Sequence, residues 1–133
     1  QGGNRSDYFL NRSRPVQFII LVTVNGFSGG QIKYRATPQK QEEIVMLQRM
    51  ILDKAAKYVK PDGTLIFSTC TIAREENEEN VLWFLKNYPY RLESLDPYIP
   101  EELHCKSTKL GYLQLLPGIH KTDGFFIARF RRK

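Results

Sequence analysis

The sequence contains little cysteine and little histidine, and it has no long apolar stretch. Two cysteines among 133 residues cannot form a disulfide framework, so the composition favours a reducing compartment, the cytoplasm. The two histidines do not combine with the cysteines at any spacing used by zinc sites, and we expect no metal site. The longest apolar run, from Phe18 to Val24, is too short to cross a bilayer, and the N-terminus lacks the pattern of a signal peptide, so we expect no membrane partner.

The positive charge of the chain is concentrated at its two ends. The formal net charge is +6, and residues 1–41 carry six Lys or Arg against one acid. Residues 120–133 carry five against one, whereas the residues between carry nine against twelve. Basic ends around a slightly acidic middle suit a polyanion such as RNA. The alternative is a basic globular domain whose charges are simply solvated.

Strands and helices are predicted to alternate along the chain. Thr37 and Pro38 are typical of a helix N-cap followed by proline in the first turn. The predicted elements are, in order, a strand at 16–24, a helix at 38–59, a strand at 65–68, a helix at 75–88, and strands at 112–116 and 125–130. Residues 60–63 are predicted to form a turn, and residues 89–109 a long connection.

Each predicted helix has one apolar face. On the first helix the face consists of Ile44, Leu47, Ile51, Ala55 and Tyr58. On the second it consists of Val81, Leu82, Phe84, Leu85 and Tyr88. This order of elements predicts an α/β fold: a parallel sheet with helices on its faces, and an antiparallel terminal hairpin on the edge of that sheet.

Cys70 lies at the carboxyl end of a predicted strand, where open α/β sheets bind their ligands. A thiolate there could act as a nucleophile, with Thr69 and Thr71 hydrogen-bonding to the sulfur or to a ligand. The alternative is a buried, inert cysteine that packs as a small apolar side chain. The glutamates at 75, 76, 78 and 79 suit the start of a helix electrostatically. Asn77 among them offers both a donor and an acceptor to the cysteine loop.

The segment that follows residue 119 combines a tight turn with two aromatic residues and a basic tail. Asp123 and Gly124 form the turn, and Phe125 or Phe126 could stack on a nucleobase while the arginines meet phosphates. Alternation along the strand places the two phenylalanines on opposite faces, so at most one of them points to the core. The alternative is a hairpin turn, a core phenylalanine pair and a solvated tail.

These residues, taken together, resemble the Sun/Fmu/Nop2 family of S-adenosylmethionine-dependent RNA (cytosine-5) methyltransferases. The segment LIFSTCT at 65–71, followed by ENE at 76–78, is similar to the family's "STC…ENE" motif. The closing stretch from Leu116 to Ala128 resembles its "P…H…DGFFIA" motif, and IKYR at 32–35 with LQ at 47–48 and IL at 51–52 matches upstream motifs. The match covers about residues 32–131.

The resemblance implies a fold, a cofactor and a mechanism. The chain would supply the last four strands of a Rossmann-like class I methyltransferase sheet, with ribosomal RNA as the substrate and S-adenosylmethionine as the methyl donor. Cys70 would attack C6 of the target cytosine so that C5 can take the methyl group. Thr69, Thr71, Asn77, Asp123, Phe125 and Phe126 would bind the base or support the cysteine loop.

The chain also departs from the family pattern upstream. The glycine-rich cofactor motif "D.CAAPGGKT" has no counterpart, and residues 21–26 stand where the family has "D.PCSG". We therefore expect a divergent lead-in with one strand at 1–31, followed by the C-terminal portion of a catalytic domain at 32–133. Such a part would be inactive by itself, and its exposed sheet edge would favour self-association. A non-catalytic, basic RNA-binding remnant of the family is the alternative function.

Overall fold

The centre of the molecule is one mixed sheet of five strands. The computed structural model describes residues 15–23, 37–119 and 124–133. The strands are β1 (Val16–Thr23), β2 (Val59–Thr69), β3 (Tyr90–Leu92), β4 (Tyr112–Leu115) and β5 (Phe125–Arg132). The helices are α1 (Pro38–Tyr58), α2 (Glu78–Asn87) and α3 (Lys106–Leu110), with two short 3₁₀ turns at Asp96–Tyr98 and Glu101–Leu103. In the described part of the chain, no helix is both long and apolar enough to span a membrane.

The pairing of the strands confirms the predicted α/β architecture. The strands lie in the order β1-β2-β5-β3, and β4 also pairs with β5. β1 and β2 are parallel, as expected for strands joined by a helix, and β4 and β5 form the predicted antiparallel hairpin. The hairpin differs from the prediction in one respect, because β5 lies inside the sheet between β2 and the two short outer strands. Phe126, Ala128 and Phe130 are fully buried, which suits β5 to an interior position.

The first helix begins as predicted, but the face that it turns to the core only partly overlaps with the predicted one, with Ala55 common to both. The Thr37 hydroxyl accepts a hydrogen bond from the Lys40 backbone N–H at 3.1 Å, which caps α1. Leu47, predicted for the apolar face, is 56% exposed, whereas Gln48 and Leu52 are buried. The buried face therefore follows positions 48, 52, 55 and 56. The rotation has a physical reason, because the Gln48 amide is held by polar partners on the facing segment.

The second helix begins at Glu78, three residues later than predicted, because residues 74–77 form a turn. Val81 and Phe84 are buried as expected, but Leu82 is 61% exposed and does not belong to the apolar face. Phe84 lies at the centre of an aromatic cluster. Its ring centroid lies 4.9 Å from those of Tyr88 and Tyr90 and 4.7 Å from that of Phe130. This cluster joins α2 to β3 and β5.

Two regions have more regular structure than the sequence indicates. Residues 60–63, predicted to form a turn, lie within β2 and interrupt its regular pairing with β1. The register shifts there, since Val16 pairs with Val59 whereas Phe18 pairs with Thr64. Asp62 there has φ 69°. The predicted connection at 89–109 contains β3, both 3₁₀ turns and α3. A strand of three residues and a helix of five are too short to show a strand or a helix period. The domain boundary predicted at residue 31 lies outside the described residues and stays a prediction.

A partly buried ion cluster joins the outer strands to the sheet. Glu93, just after β3, accepts hydrogen bonds from Arg131 at 2.7 and 2.8 Å and from the Arg129 Nε at 3.0 Å. Arg129 is itself buried, and its guanidinium lies 4.2 Å from the centroid of the Tyr98 ring. Hydrogen bonds from Arg131, and then those from Arg129, hold the pKa of Glu93 below its ordinary value of 4.5.

Glu93→Gln is expected to lower the free energy of unfolding by about 1.5–3 kcal/mol near pH 7, because two arginines lose a charged acceptor. A carboxyl whose folded pKa is depressed stabilises the fold fully above its unfolded pKa, and this contribution is lost as the pH falls through the folded pKa. The difference between the wild-type chain and Glu93→Gln should therefore be constant above the ordinary pKa of 4.5 and shrink below it. Urea unfolding at a series of pH values measures this difference, and a difference independent of pH would contradict the assignment.

Candidate functional site

Cys70 directly follows the last residue of β2, at the carboxyl end of the parallel strand pair. Thr69 ends β2 and pairs with Thr23 at the end of β1. Cys70 is a free and exposed cysteine, whereas Thr69 immediately before it is fully buried. The exposure excludes the alternative in which this cysteine is a buried apolar side chain. The sheet therefore presents a single thiol to solvent at the edge where parallel sheets bind their ligands.

One buried amide holds both residues that flank Cys70. The Thr69 hydroxyl donates to the Asn77 Oδ1 at 2.6 Å, and the Asn77 Nδ2 donates to the Thr71 backbone carbonyl at 2.9 Å. Asn77 stands at the N-cap of α2, yet its side chain makes no capping hydrogen bond. A side-chain N-cap contributes typically about 1 kcal/mol, so this asparagine forgoes that contribution and holds the cysteine loop instead. The structure thus brings together Thr69, Thr71 and Asn77 of the predicted set.

The threonine hydroxyls beside Cys70 have partners within the protein. Thr69 donates to Asn77, and the Thr71 Oγ1 accepts a hydrogen bond from the Ala73 backbone N–H at 3.1 Å. The second contact is a local side-chain turn of the kind that threonine forms readily. In this arrangement the hydroxyls order the loop, and the exposed group that the loop presents is the thiol of Cys70.

The turn before α2 is anchored to α1 by a buried glutamate that the sequence did not distinguish from its neighbours. Glu76 is buried, and its two carboxylate oxygens accept hydrogen bonds from Gln41 at 2.6 Å and Gln48 at 3.1 Å. The Asn80 amide donates to the Gln48 side chain at 2.9 Å and accepts from the Arg49 Nε at 2.9 Å. Buried polar groups of this kind need partners, and here they supply one another. The network fixes the turn that carries Asn77.

The terminal hairpin packs against the cysteine loop through a glycine. Gly124 has φ +120°, and a Cβ added there would lie 3.0 Å from the Ile72 Cγ2. Phe126 is completely buried and pairs across the sheet with Thr69, whereas Phe125 is half-buried. Of the predicted aromatic pair, Phe126 therefore lies in the core beneath the site, which leaves Phe125 as the ring nearer the surface. Asp123 lies outside the described residues.

Gln114, in β4, also belongs to the site and carried no signal in the sequence. Its Oε1 accepts from the Asn77 Nδ2 at 2.7 Å, and its Nε2 lies 3.2 Å from the Thr71 carbonyl oxygen. The same Nε2 lies 3.1 Å from the backbone carbonyl oxygens of Leu115 and Phe125. Gln114 also lines a crevice of about 420 Å³ together with Glu78, Tyr112 and residues from 102–107. The glutamine therefore stands between this crevice and the cysteine loop.

The described residues do not fit S-adenosylmethionine. The ends of β1 and β2 carry threonines and Cys70. Neither a glycine-rich turn nor an acidic side chain lies beside these strand ends in the described residues. The nearest buried carboxylate of the network, that of Glu76, is already bound by two glutamines. Within the ranges 15–23, 37–119 and 124–133, no three His, Cys, Asp or Glu residues are grouped so that they could hold a metal ion. Val24 to Gly26, which stand where the family has the end of its "D.PCSG" motif, lie outside the described residues.

Comparison with protein families gives one match to most of the chain. The sequence model of the family described as "16S rRNA methyltransferase RsmB/F" matches residues 28–131. The chain is 42% identical over 98 residues to a protein named "Ribosomal RNA small subunit methyltransferase F" from Cronobacter sakazakii. That alignment covers 72% of this chain and 20% of the relative, so the chain spans about a fifth of the length of this curated relative.

Two solved structures from Pyrococcus horikoshii resemble the chain. One, described as a methyltransferase homolog protein, superposes with a TM-score of 0.74 at 29% identity, over 96% of this chain and 42% of its own. The other is NSun6, determined with SFG, with a TM-score of 0.62 at 31% identity, over 74% of this chain and 24% of its own. The strands and helices described above thus recur within larger proteins of related sequence.

Proposed function

The chain belongs to the 16S rRNA methyltransferase RsmB/F family, and on that premise we propose that it carries the nucleophile of an enzyme that methylates C5 of a cytosine in ribosomal RNA. The observation that carries the proposal is the exposed thiol of Cys70 at the end of β2, with the residue on each side of it bound to Asn77. A covalent catalyst needs a nucleophile that is accessible and held in place. Cys70 has both properties.

In the proposed reaction the Cys70 thiolate adds to C6 of cytosine. A sulfur–carbon bond forms, and the electron pair of the C5–C6 double bond moves to C5. C5 can then take an electrophile, a base removes the original C5 proton, and the thiolate leaves as the double bond re-forms. The loop contributes orientation, because Thr69 and Thr71 are held by hydrogen bonds on both sides of the sulfur.

The methyl donor of the proposed enzyme is S-adenosylmethionine. Since the described residues do not fit this cofactor, our proposal for this chain covers the addition to C6 and its reversal, and the chain by itself does not methylate. Ribosomal RNA is the proposed partner, which agrees with the basic ends of the chain and with the name of its relative. We place this activity in the cytoplasm, where two free cysteines remain reduced.

The proposed test is the exchange of the C5 hydrogen of cytosine, which follows from addition to C6 and needs no methyl donor. Small-subunit ribosomal RNA carrying tritium at C5 of cytosine is incubated with the chain in the absence of S-adenosylmethionine. Release of tritium into water is the expected result, because after addition C5 takes up a proton from water and a base removes the tritium as the thiolate leaves. The RNA-binding alternative predicts that the RNA binds and keeps its tritium. A chain that binds this RNA without any release would therefore overturn the proposed function.

Self-association of the chain is proposed through β1. This strand lies at the edge of the described sheet, and Phe18, Ile20 and Val22 on its outer face are 48%, 57% and 60% exposed. An edge strand with an exposed apolar face is a site for pairing with a second copy.

Ile20→Lys is expected to shift the chain from dimer to monomer, because it places a charge in the centre of this surface. Sedimentation velocity at several protein concentrations measures the change. Leu82→Lys is the matched control, since Leu82 is equally exposed but lies on α2. A wild-type chain that remains monomeric at all concentrations would contradict the proposal.

A further inference from the structure

The side chain of Gln114 connects the terminal hairpin to the loop that presents Cys70. It lies in β4, which pairs only with β5 in the described sheet, and its amide reaches Thr71, the residue after Cys70. It also binds Asn77, which holds Thr69, the residue before Cys70. Three separate segments of the chain thus meet at one glutamine: the hairpin, the cysteine loop and the N-terminus of α2.

The chemistry of an amide suits this position better than that of another polar group. The Gln114 oxygen accepts from Asn77, while its NH₂ group faces three backbone carbonyls, those of Thr71, Leu115 and Phe125. A carboxylate of the same length would keep the acceptor but would place a negative charge against the three carbonyls. An apolar side chain of the same length would lose every one of these contacts. An amide supplies both the acceptor for Asn77 and two N–H donors that the three carbonyl oxygens share.

From these contacts we infer that Gln114 is a positioning residue, which fixes the backbone on both sides of Cys70 so that the thiol meets C6 of the base. The loop between Thr69 and Ala73 has few other anchors among the described residues. Asn77 binds it from below, and Gly124 packs against Ile72. Gln114 adds a further anchor to this loop, and it also orients the Asn77 side chain. The role of the loop in catalysis rests on the proposed function, whereas the ordering of the loop does not.

Two variants test the inference. Gln114→Met keeps the length of the side chain and removes its hydrogen bonds, and Gln114→Glu keeps the acceptor and removes the donors. Gln39→Met is the matched control, because Gln39 is an exposed glutamine on α1. Hydrogen–deuterium exchange of the backbone amides from Cys70 to Ala73 reports the order of the loop without any RNA. We expect this exchange to become roughly tenfold faster in Gln114→Met, while the amides in the middle of α1 stay protected.

Tritium release from C5 of cytosine at saturating RNA reports the consequence for Cys70. We expect the maximal rate to fall by about 10–100-fold in both Gln114 variants, with unchanged RNA affinity, because the nucleophile is misplaced while the RNA contacts remain. A residue that only stabilises the fold would lower the unfolding temperature and leave the rate of the folded fraction unchanged. Gln39→Met should match the wild-type chain in every measurement.

The two measurements separate this inference from the proposed function. Unchanged amide exchange in the Cys70 loop would overturn the inference, whatever the RNA assay gives. Faster amide exchange with an undiminished maximal rate would also overturn it, since the order of the loop would then not matter to the thiol. Absence of tritium release by the wild-type chain with bound RNA would overturn the proposed function and the catalytic part of the inference together. The loop-ordering part would then be decided by the amide exchange alone.

Discussion

Replacement of Cys70 by alanine is expected to reduce tritium release from C5 of cytosine by at least about 10³-fold, to the rate without protein, because removal of the attacking atom abolishes covalent catalysis. RNA affinity should stay the same, since the change removes only the sulfur atom of an exposed side chain. The free energy of unfolding should also stay within about 0.5 kcal/mol of the wild-type value, as for other exposed positions. The rate, the affinity and the stability are measured on the same protein preparation.

Cys105 provides the matched control for this prediction. It is also free and exposed, and hydrogen bonds with the Ser107 hydroxyl and the Thr108 backbone N–H lower its pKa. A lowered pKa makes a thiol more reactive in general, so Cys105 would be the stronger candidate by thiol chemistry alone. The position of Cys105 in the fold differs from that of Cys70, however, because Cys105 caps the five-residue helix α3 and does not follow a parallel strand. Tritium release should therefore survive in Cys105→Ala. Loss of release in this variant, with retention in Cys70→Ala, would show that the wrong cysteine has been assigned.

The position of Cys70 could be predicted from the sequence because it depends on local patterns. An apolar strand, a cysteine between two threonines and an acidic helix start follow one another within 63–85. The apolar run at 65–68 predicted a buried strand from its own residues, whereas the exposure of Cys70 is known only from the structure, since the sequence left a buried cysteine open. The parallel pairing of β1 and β2 followed from the helix between them, and it placed the thiol at the edge where parallel sheets bind their ligands.

The hydrogen bonds around the Cys70 loop could not be predicted from local patterns, because they join residues that are far apart in sequence. Gln48 and Glu76 are separated by 28 positions, and Asn77 and Gln114 by 37. Nothing in a single sequence marks one glutamine as buried, and a buried Gln48 also turned α1 away from the face that its apolar residues indicate. Hydrophobic periodicity reports the average face of a helix, and a satisfied polar group can override it.

The same reasoning explains the shorter elements. β3 has three residues and α3 has five. They are held by tertiary partners, since Tyr90 and Leu92 pair with β5 and the Leu95 backbone N–H donates to the Thr108 carbonyl oxygen. A helical pattern needs about 11 residues or more to show its period, and a strand pattern needs about four. Their positions within 89–109 are therefore a result of packing.

Phe84→Ala is expected to lower the free energy of unfolding by about 3–5 kcal/mol, the largest effect of any single core change proposed for this chain. The ring is fully buried, and it contacts Tyr88, Tyr90 and Phe130 at centroid distances below 5 Å. Its removal leaves a cavity where α2, β3 and β5 meet, and these three elements cannot all close on it. Small domains have total stabilities of about 5–15 kcal/mol, so this single change would remove a large share of the stability. Urea unfolding followed by circular dichroism measures the loss.

Leu82→Ala, on the same helix, separates the effect of packing from that of helix propensity. Leu82 is mostly exposed, and alanine is at least as good a helix former, so the free energy of unfolding should change by less than about 0.5 kcal/mol. If both variants lost the same stability, the aromatic cluster would not be the centre of the core, and the apolar face predicted with Leu82 in it would be the better description of α2. If Phe84→Ala alone is strongly destabilised, this ring holds the helix whose N-cap is Asn77. The hydrogen bonds that Asn77 makes to the cysteine loop then depend on the packing of Phe84.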